Sequence, residues 1–219
     1  MKYPRTLHLP WSEGVGSDDK IMKDISGLTS EEVVVTEKLD GENSSLYRDR
    51  IHARSENYAH TRWRDYVRWL HTQIGHRIED ITQLIGENVY ATHSIHYQRL
   101  TSYFYLFSVI REGRVLSWDE TEKTASELGL KTVPVLYRGP YKDWDRKPPT
   151  CSRYGDTAEG YVVRVARGFS VEEGYTRLLA KYVRKGHVTT DKHWSRTWTP
   201  NTLEEGVNPY ELEETEIDE

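Results

Sequence analysis

Apolar and polar residues alternate through Val33–Leu39, "VVVTEKL", and again, more weakly, through Glu42–Tyr47, "ENSSLY". Period-two alternation over such runs predicts strands, and the Asp40-Gly41 pair between them predicts a turn, so a hairpin is expected here. From His60 to Ile78 the apolar positions Trp63, Val67, Leu70, Ile74 and Ile78 recur at helical spacing, with Arg and His between them. That pattern predicts an amphipathic helix with a core-facing stripe. Ser102–Ile110, "SYFYLFSVI", predicts a buried or half-buried strand. Ser117-Trp118-Asp119-Glu120 matches a capping box that opens a second helix, closed by Gly129. Pro134–Pro149 reads as loop, and Glu159–Ala166 and Leu178–Arg184 read as two late strands. Strands dominate without a regular strand–helix alternation, which predicts an α+β fold rather than a doubly wound sheet.

Charge changes the picture once it is divided along the chain. The 219 residues carry a net charge of −5, but residues 203–219 hold eight Asp or Glu and no Lys or Arg. Without those eight negative charges, residues 1–202 carry a net +3. The expected organisation is one domain over residues 1–202 and an acidic, mobile tail over 203–219. The single cysteine, Cys151, excludes an internal disulfide and a cysteine-cluster metal site, which fits a reducing cytosol. There is no long apolar run and no signal-peptide pattern, so a cytoplasmic monomer with no membrane partner is expected. Fifteen Tyr and seven Trp against three Phe suit wet grooves as well as cores. The nine histidines show no metalloprotease spacing and read as ordinary polar residues.

The candidate chemistry begins at Lys38, which ends an apolar strand beside the Asp40-Gly41 turn. A lysine attacks at neutral pH only if it loses its proton, through desolvation or neighbouring cations such as Lys181 and Arg54. Gly41 permits positive φ or close backbone approach to a ligand. Taken alone, K-x-D-G is common and reads as a surface hairpin with a lysine at its edge. It is not alone, because Glu159 and Lys181 also carry charge into strands expected to be buried. Buried charges are costly unless paired or bound, so several in separate strands suggest a shared polyanionic ligand.

In order along the chain come "EKLDGEN" with Lys38, "ARS" with Arg54, "GEN" with Glu87, "YLFSVI" with Phe107, "EGYVVR" with Glu159 and "AKYVR" with Lys181. This set resembles the covalent nucleotidyltransferases, and within them the ATP-dependent RNA ligase family typified by phage enzymes that seal nicks in duplex RNA. The resemblance spans roughly Glu37 to Arg184. It implies an adenylyltransferase domain of antiparallel sheets flanked by helices, with ATP and Mg²⁺ as cofactors and RNA, as nicked duplex or single-stranded ends, as partner.

The resemblance also implies roles. Lys38 would attack the α-phosphate of ATP, and Lys181 would contact that phosphate. Glu37 would read the adenine edge, Phe107 would stack on the base, and Arg54 and Glu87 would hold the ribose and its surroundings. Asp40 and Gly41 would complete the nucleotide site, Glu159 would help hold Mg²⁺, and Asn43 would act in the later sealing steps. Two positions depart from the family pattern: Ser108 stands where an Asp is frequent, and Val183 stands where a second lysine is common. "HLPWS", His8–Ser12, and "KYVRKGHV" with a later His193-Trp194 are also shared with relatives, without an assigned role.

Only 35 residues follow Arg184 and 37 precede Lys38, so no OB-fold domain and no domain for the nicotinamide half of NAD is expected. RNA would then be gripped by the catalytic domain, through Arg62, Arg64, Arg68 and Arg77 beside Trp63 and Trp69. The alternatives are a nucleotide- or RNA-binding module of the same fold without turnover, a guanylyltransferase, and a DNA-sealing variant.

Overall fold

The computed structural model describes residues 3–54, 61–186 and 198–212. Ser55, His60, His187 and His193-Trp194 lie outside the described residues. Two sheets carry the fold. In the first, the order is β1 (Leu7–His8), β12 (Leu179–Val183), β10 (Gly160–Val165), β2 (Glu32–Lys38) and β9 (Val135–Pro140). In the second it is β11 (Phe169–Ser170), β7 (Arg114–Val115), β6 (Phe104–Arg111), β5 (Thr82–Asn88), β3 (Glu42–Leu46) and β4 (Ile51–Ala53), with β8 (Lys131–Thr132) also beside β6. All pairs are antiparallel except β1–β12 and β6–β8. The helices are α1 (Ser26–Thr29), α2 (Asp65–Ile74), α3 (Trp118–Glu127) and α4 (Val171–Gly174). This is the α+β architecture of antiparallel sheets and flanking helices read from the sequence.

The hairpin expected around Asp40-Gly41 is not formed. β2 pairs with β9 and β10, whereas β3 pairs with β4 and β5, so the turn carries the chain from one sheet to the other. Two-residue hairpins need positive φ at one or both central residues, and neither Asp40 nor Gly41 has it. Burial supplies the other half of the reason. Five consecutive β2 residues, Val33–Glu37, are buried, which is the signature of a central strand covered on both faces. Gly41 serves the crossing by close approach, since a Cβ there would sit 2.5 Å from the Asn88 carbonyl oxygen.

One core fills the space between the sheets, with Val33, Val35, Tyr161 and Val163 of the first against Ile85 and Ile110 of the second. A second core lies under the helices. There Val67, Leu70 and Ile74 of α2, together with Ile78, pack on Leu46, Leu84, Phe104 and Leu106. All four stripe residues are buried, each contributing roughly 1.5–3 kcal/mol. The periodic segment is helical only over ten residues, because one 3₁₀ turn at Arg62–Arg64 precedes it and another at Gly75–Arg77 follows. Trp63 therefore precedes the helix. The capping box of α3 forms as its sequence predicts, with Ser117 and Glu120 bonding each other's backbone amides.

Two segments depart from expectation. Residues 135–140, expected as loop, form the edge strand β9, whose exposed Val135 and Leu136 and terminal Pro140 suit an edge. Residues 203–212 lie against the body: Leu203 bridges Leu100, and the Tyr210 ring meets Trp69 at 4.9 Å. The described part of the acidic segment is thus held rather than leaving the domain at residue 203. Among the described residues no helix is long and apolar enough to cross a membrane.

Arg64, expected to face RNA, is instead buried and grips Glu42 at both carboxylate oxygens, 2.7 and 2.5 Å away. This fork pins the turn before α2 to β3. We expect Arg64→Ala to lower stability by about 1–3 kcal/mol, because the half-buried Glu42 is left without its partner; urea unfolding of the purified variant measures it.

Candidate active site

A cleft of about 370 Å³ opens between the two sheets. Strand alternation decides what faces it. On the first sheet Thr36, Val162 and Lys181 form one cross-strand row and Lys38, Gly160 and Val183 form the next. Thr36, Lys38, Val162 and Lys181 line the cleft. A Cβ on Gly160 would come within 2.0 Å of the Tyr182 carbonyl oxygen, so only glycine lets the strands close up beside Lys38. On the second sheet Asn43 stands opposite Glu87 in the β3–β5 register, and both line the cleft with Phe107 and Ser108.

The Lys38 Nζ donates to Oε2 of Glu159 at 2.6 Å. Burial alone would push the Lys38 amine down, but Glu159, Glu87 and Asp40 outweigh it and hold it above the ordinary lysine value. The expected depression by Lys181 and Arg54 is therefore corrected: the charges nearest the amine are carboxylates. Lys181 is the group pushed down, by burial first and by Lys38 second, with Asp19 at 3.7 Å opposing. Burial raises Glu87 to about 8, with Lys38 opposing and Glu159, Asp40 and Glu42 adding to the rise.

The opposite end of the cleft is aromatic. The Phe107 ring is met edge-on by Tyr3 at 5.6 Å, and Tyr3 by Tyr175 at 5.3 Å, with Val115, Phe169 and Leu179 around them. Glu37 belongs to the wall, and its buried Oε2 accepts the Arg153 amide at 3.1 Å. Arg54 is exposed at the wall, tied in by its own amide to the Asn43 carbonyl at 3.2 Å. Two of the expected nucleotide-site residues stand off the cleft lining: Glu159, which reaches it through Lys38, and Asp40. The Asp40 Oδ2 accepts the Ser94 and Ile95 amides at 2.7 and 2.9 Å, and its own amide donates to the Tyr97 hydroxyl. Its charge reaches the site, but its oxygen atoms secure a loop.

The departures find structural settings. Val183 is buried under the N-terminal arm, where a Cβ on Gly14 would stand 2.9 Å from its Cγ1. Ser108 is buried and faces the Tyr175 hydroxyl. Sequence reasoning missed Tyr3, Arg5, Thr6 and Arg164, which also line the cleft. Arg164 closes the "EGYVVR" stretch but has no expected role there, and the arm of residues 3–6, outside every motif, reaches the site only through tertiary packing.

A family model described as RNA ligase matches residues 31–183. Among solved structures, the Naegleria gruberi RNA ligase with PPi superposes with a TM-score of 0.58 at 19% identity, over 84% of this chain and 58% of that one. A mutant of the same ligase with ATP and Mn gives 0.54 at 16% identity, and another with AMP and Mn gives 0.53 at 16%, each over 85% of this chain and 58% of that one. These likenesses show a shared fold, and the chain spans little more than half the length of those ligase chains. No curated protein matches it.

Glu87 provides a pH test. Its folded value of about 8 lies above the ordinary 4.5, so its protonated form favours the fold below 4.5 and that support is lost as pH rises through 8. We expect Glu87→Gln to gain stability relative to the unaltered chain from about pH 5 to about pH 9, read as the difference in urea midpoints along the series.

Proposed function

The chain belongs to the RNA ligase family, and from that premise we propose that it joins RNA 3′-hydroxyl and 5′-phosphate ends by ATP-dependent ligation through a lysyl-AMP intermediate. The observation that carries this reading is the convergence, in one cleft, of an amine, a second cation, two carboxylates and an aromatic wall from two different sheets. Three ligand states of the Naegleria ligase, ATP with Mn, AMP with Mn, and PPi, correspond to the substrate and products of the first step.

In that step the Lys38 Nζ lone pair forms a bond to the α-phosphorus, the bond to the bridging oxygen breaks, and pyrophosphate leaves. The proton that Nζ must shed already lies on a hydrogen bond to Glu159 Oε2. Lys181 neutralises charge that grows on the α-phosphate, where a fixed cation in a half-buried wall acts without reorganising. The purine lies toward Phe107 with Glu37 at its edge, and Arg54, Glu87 and Gly41 border the sugar and phosphates. AMP then passes to an RNA 5′-phosphate, and the 3′-hydroxyl displaces it; Asn43 faces the same space and serves the sealing steps.

The donor set fits Mg²⁺ of a particular kind. Among the described residues no three His, Cys, Asp or Glu assemble a protein cage. Mg²⁺ is commonly held by one or two carboxylates with waters and substrate phosphates, which is what Glu159, with Glu87 across the cleft, offers. Bound there, Mg²⁺ would neutralise phosphate charge and offset the pull of Glu159 on the Lys38 proton.

Incubation with ATP and Mg²⁺, after pyrophosphate treatment to strip bound AMP, is expected to add one AMP to the intact protein mass. Lys38→Ala is expected to show no gain, and Lys181→Ala to slow the gain by on the order of 10²–10³. Labelling of Lys38→Ala would remove Lys38 as the nucleophile, and no gain in the unaltered chain would remove the ligase reading.

A further inference from the structure

The lysine that neutralises phosphate is itself held by residues outside every motif of the site. Lys181 stands beside His8 in the parallel β1–β12 register, and its Nζ lies 3.7 Å from Asp19 Oδ1. The other oxygen of that carboxylate, Oδ2, accepts the Gly16 amide at 3.0 Å and lies 3.3 Å from His8 Nε2. His8 is buried, and its Nδ1 lies 2.8 Å from Ser12 Oγ. Ser12 Oγ in turn accepts the Val183 amide at 2.9 Å.

These contacts form a connected chain. Burial and then Lys181 push His8 down to about 4, so the ring is neutral near pH 7. A neutral imidazole that takes the Ser12 proton at Nδ1 carries its own proton on Nε2, facing Asp19. Ser12 Oγ thus takes the Val183 amide and meets His8 Nδ1, His8 Nε2 stands 3.3 Å from Asp19, the Gly16 amide donates to Asp19, and Lys181 faces Asp19 as an ion-pair partner at 3.7 Å. The chain leaves β12 at Val183 and returns to it at Lys181, two residues away on the same face of the strand. It is a brace closed on the strand that carries the phosphate-binding lysine.

We propose that Asp19, braced by His8 and Ser12, is a positioning residue that keeps the Lys181 side chain charged and directed along the cleft wall. Two physical needs support it. Lys181 is half-buried next to a second lysine, both of which disfavour its charged form, and Asp19 at 3.7 Å is a carboxylate that opposes them. A butyl-ammonium side chain has four rotatable bonds, and a fixed anion selects one arrangement before nucleotide arrives. Asp19 touches no reacting atom in this role; it acts through Lys181. The inference rests on the ligase reading for its catalytic consequence, but the Asp19–Lys181 contact itself is separable from it.

The experiment has two arms. In the first, single-turnover AMP transfer is followed for Asp19→Asn, Asp19→Glu, Lys181→Ala and the Asp19→Asn/Lys181→Ala double variant. We expect Asp19→Asn to slow transfer about ten- to a hundredfold, Asp19→Glu to restore part of it, and the double variant to be no slower than Lys181→Ala. Additive losses in the double variant would overturn the proposal.

In the second arm, ATP-free protein is acylated with an amine-reactive ester, and the Lys181 peptide is compared by mass spectrometry with the exposed Lys147. Asp19→Asn should speed Lys181 acylation relative to Lys147, and Ser12→Ala should shift it in the same direction without altering either partner of the contact. Unchanged Lys181 reactivity in both variants would overturn the proposal. If the unaltered chain takes no AMP, the ligase reading fails while this second arm still decides whether Asp19 holds Lys181.

Discussion

The crossing at Leu39–Gly41 is the constraint on which the site depends. It places Lys38 at the end of a strand in one sheet and Asn43 near the start of a strand in the other, five residues apart in sequence. Backbone polar groups at such a crossing need partners, because no ladder supplies them. The Asp40 amide finds the buried Tyr97 hydroxyl, and the Asp40 carboxylate anchors the crossing by taking two amides from the 94–95 loop. Gly41 lets the chain pass within contact of Asn88, next to Glu87. A hairpin at the same point would have put both strands in one sheet, with no cleft between them.

Electrostatics inside the cleft follow from what the crossing brings together. Lys38 and Lys181 face Glu87 across the cleft, and Glu159 pairs with Lys38 from behind, so no charge there is set by burial alone. The ligand-free balance favours a protonated Lys38 paired to Glu159 and raises Glu87 toward the neutral form. Polyphosphate and a divalent cation change both sides of that balance at once, since one brings negative charge to the lysines and the other occupies a carboxylate. Under the proposed function, a metal–nucleotide complex would bring both signs to this balance.

The N-terminal arm gives the cleft parts that no catalytic motif supplies. Tyr3 closes the aromatic end against Phe107, Arg5 and Thr6 join the wall, and the His8–Ser12–Asp19 brace stands behind Lys181. The loop around Gly14 covers Val183 and so takes the space into which a longer side chain would extend. The C-terminal residues 198–212 make a comparable return on the other side, where Asn201 bonds Thr92, Tyr97 and Val89. The N-terminal end thus reinforces β12, and the C-terminal end reinforces the loop that anchors the crossing.

Local chemistry is legible in the sequence wherever a single segment decides it. The Val67–Leu70–Ile74–Ile78 stripe, the Ser117–Glu120 capping box, the strands of Phe107 and Lys181 and the strand that begins just after Glu159 all follow from periodicity or side-chain type, and all form. The motif residues Lys38, Asn43, Glu87, Phe107 and Lys181 do meet in one cleft, with Glu159 joined to it through Lys38. Partner choice is not legible in the same way, because hydrogen bonds between strands carry no side-chain code. Alternation says that β2 and β3 are strands but not that they belong to different sheets. Nor does it say that Asp40 serves a loop 54 residues away, that Arg64 turns inward to Glu42, or that Asp19 stands by Lys181. The sequence by itself determined the residue types, the element periods and the order of the motifs. Only tertiary structure decided which carboxylate faces which cation, since that depends on distances set by packing two sheets across one buried core.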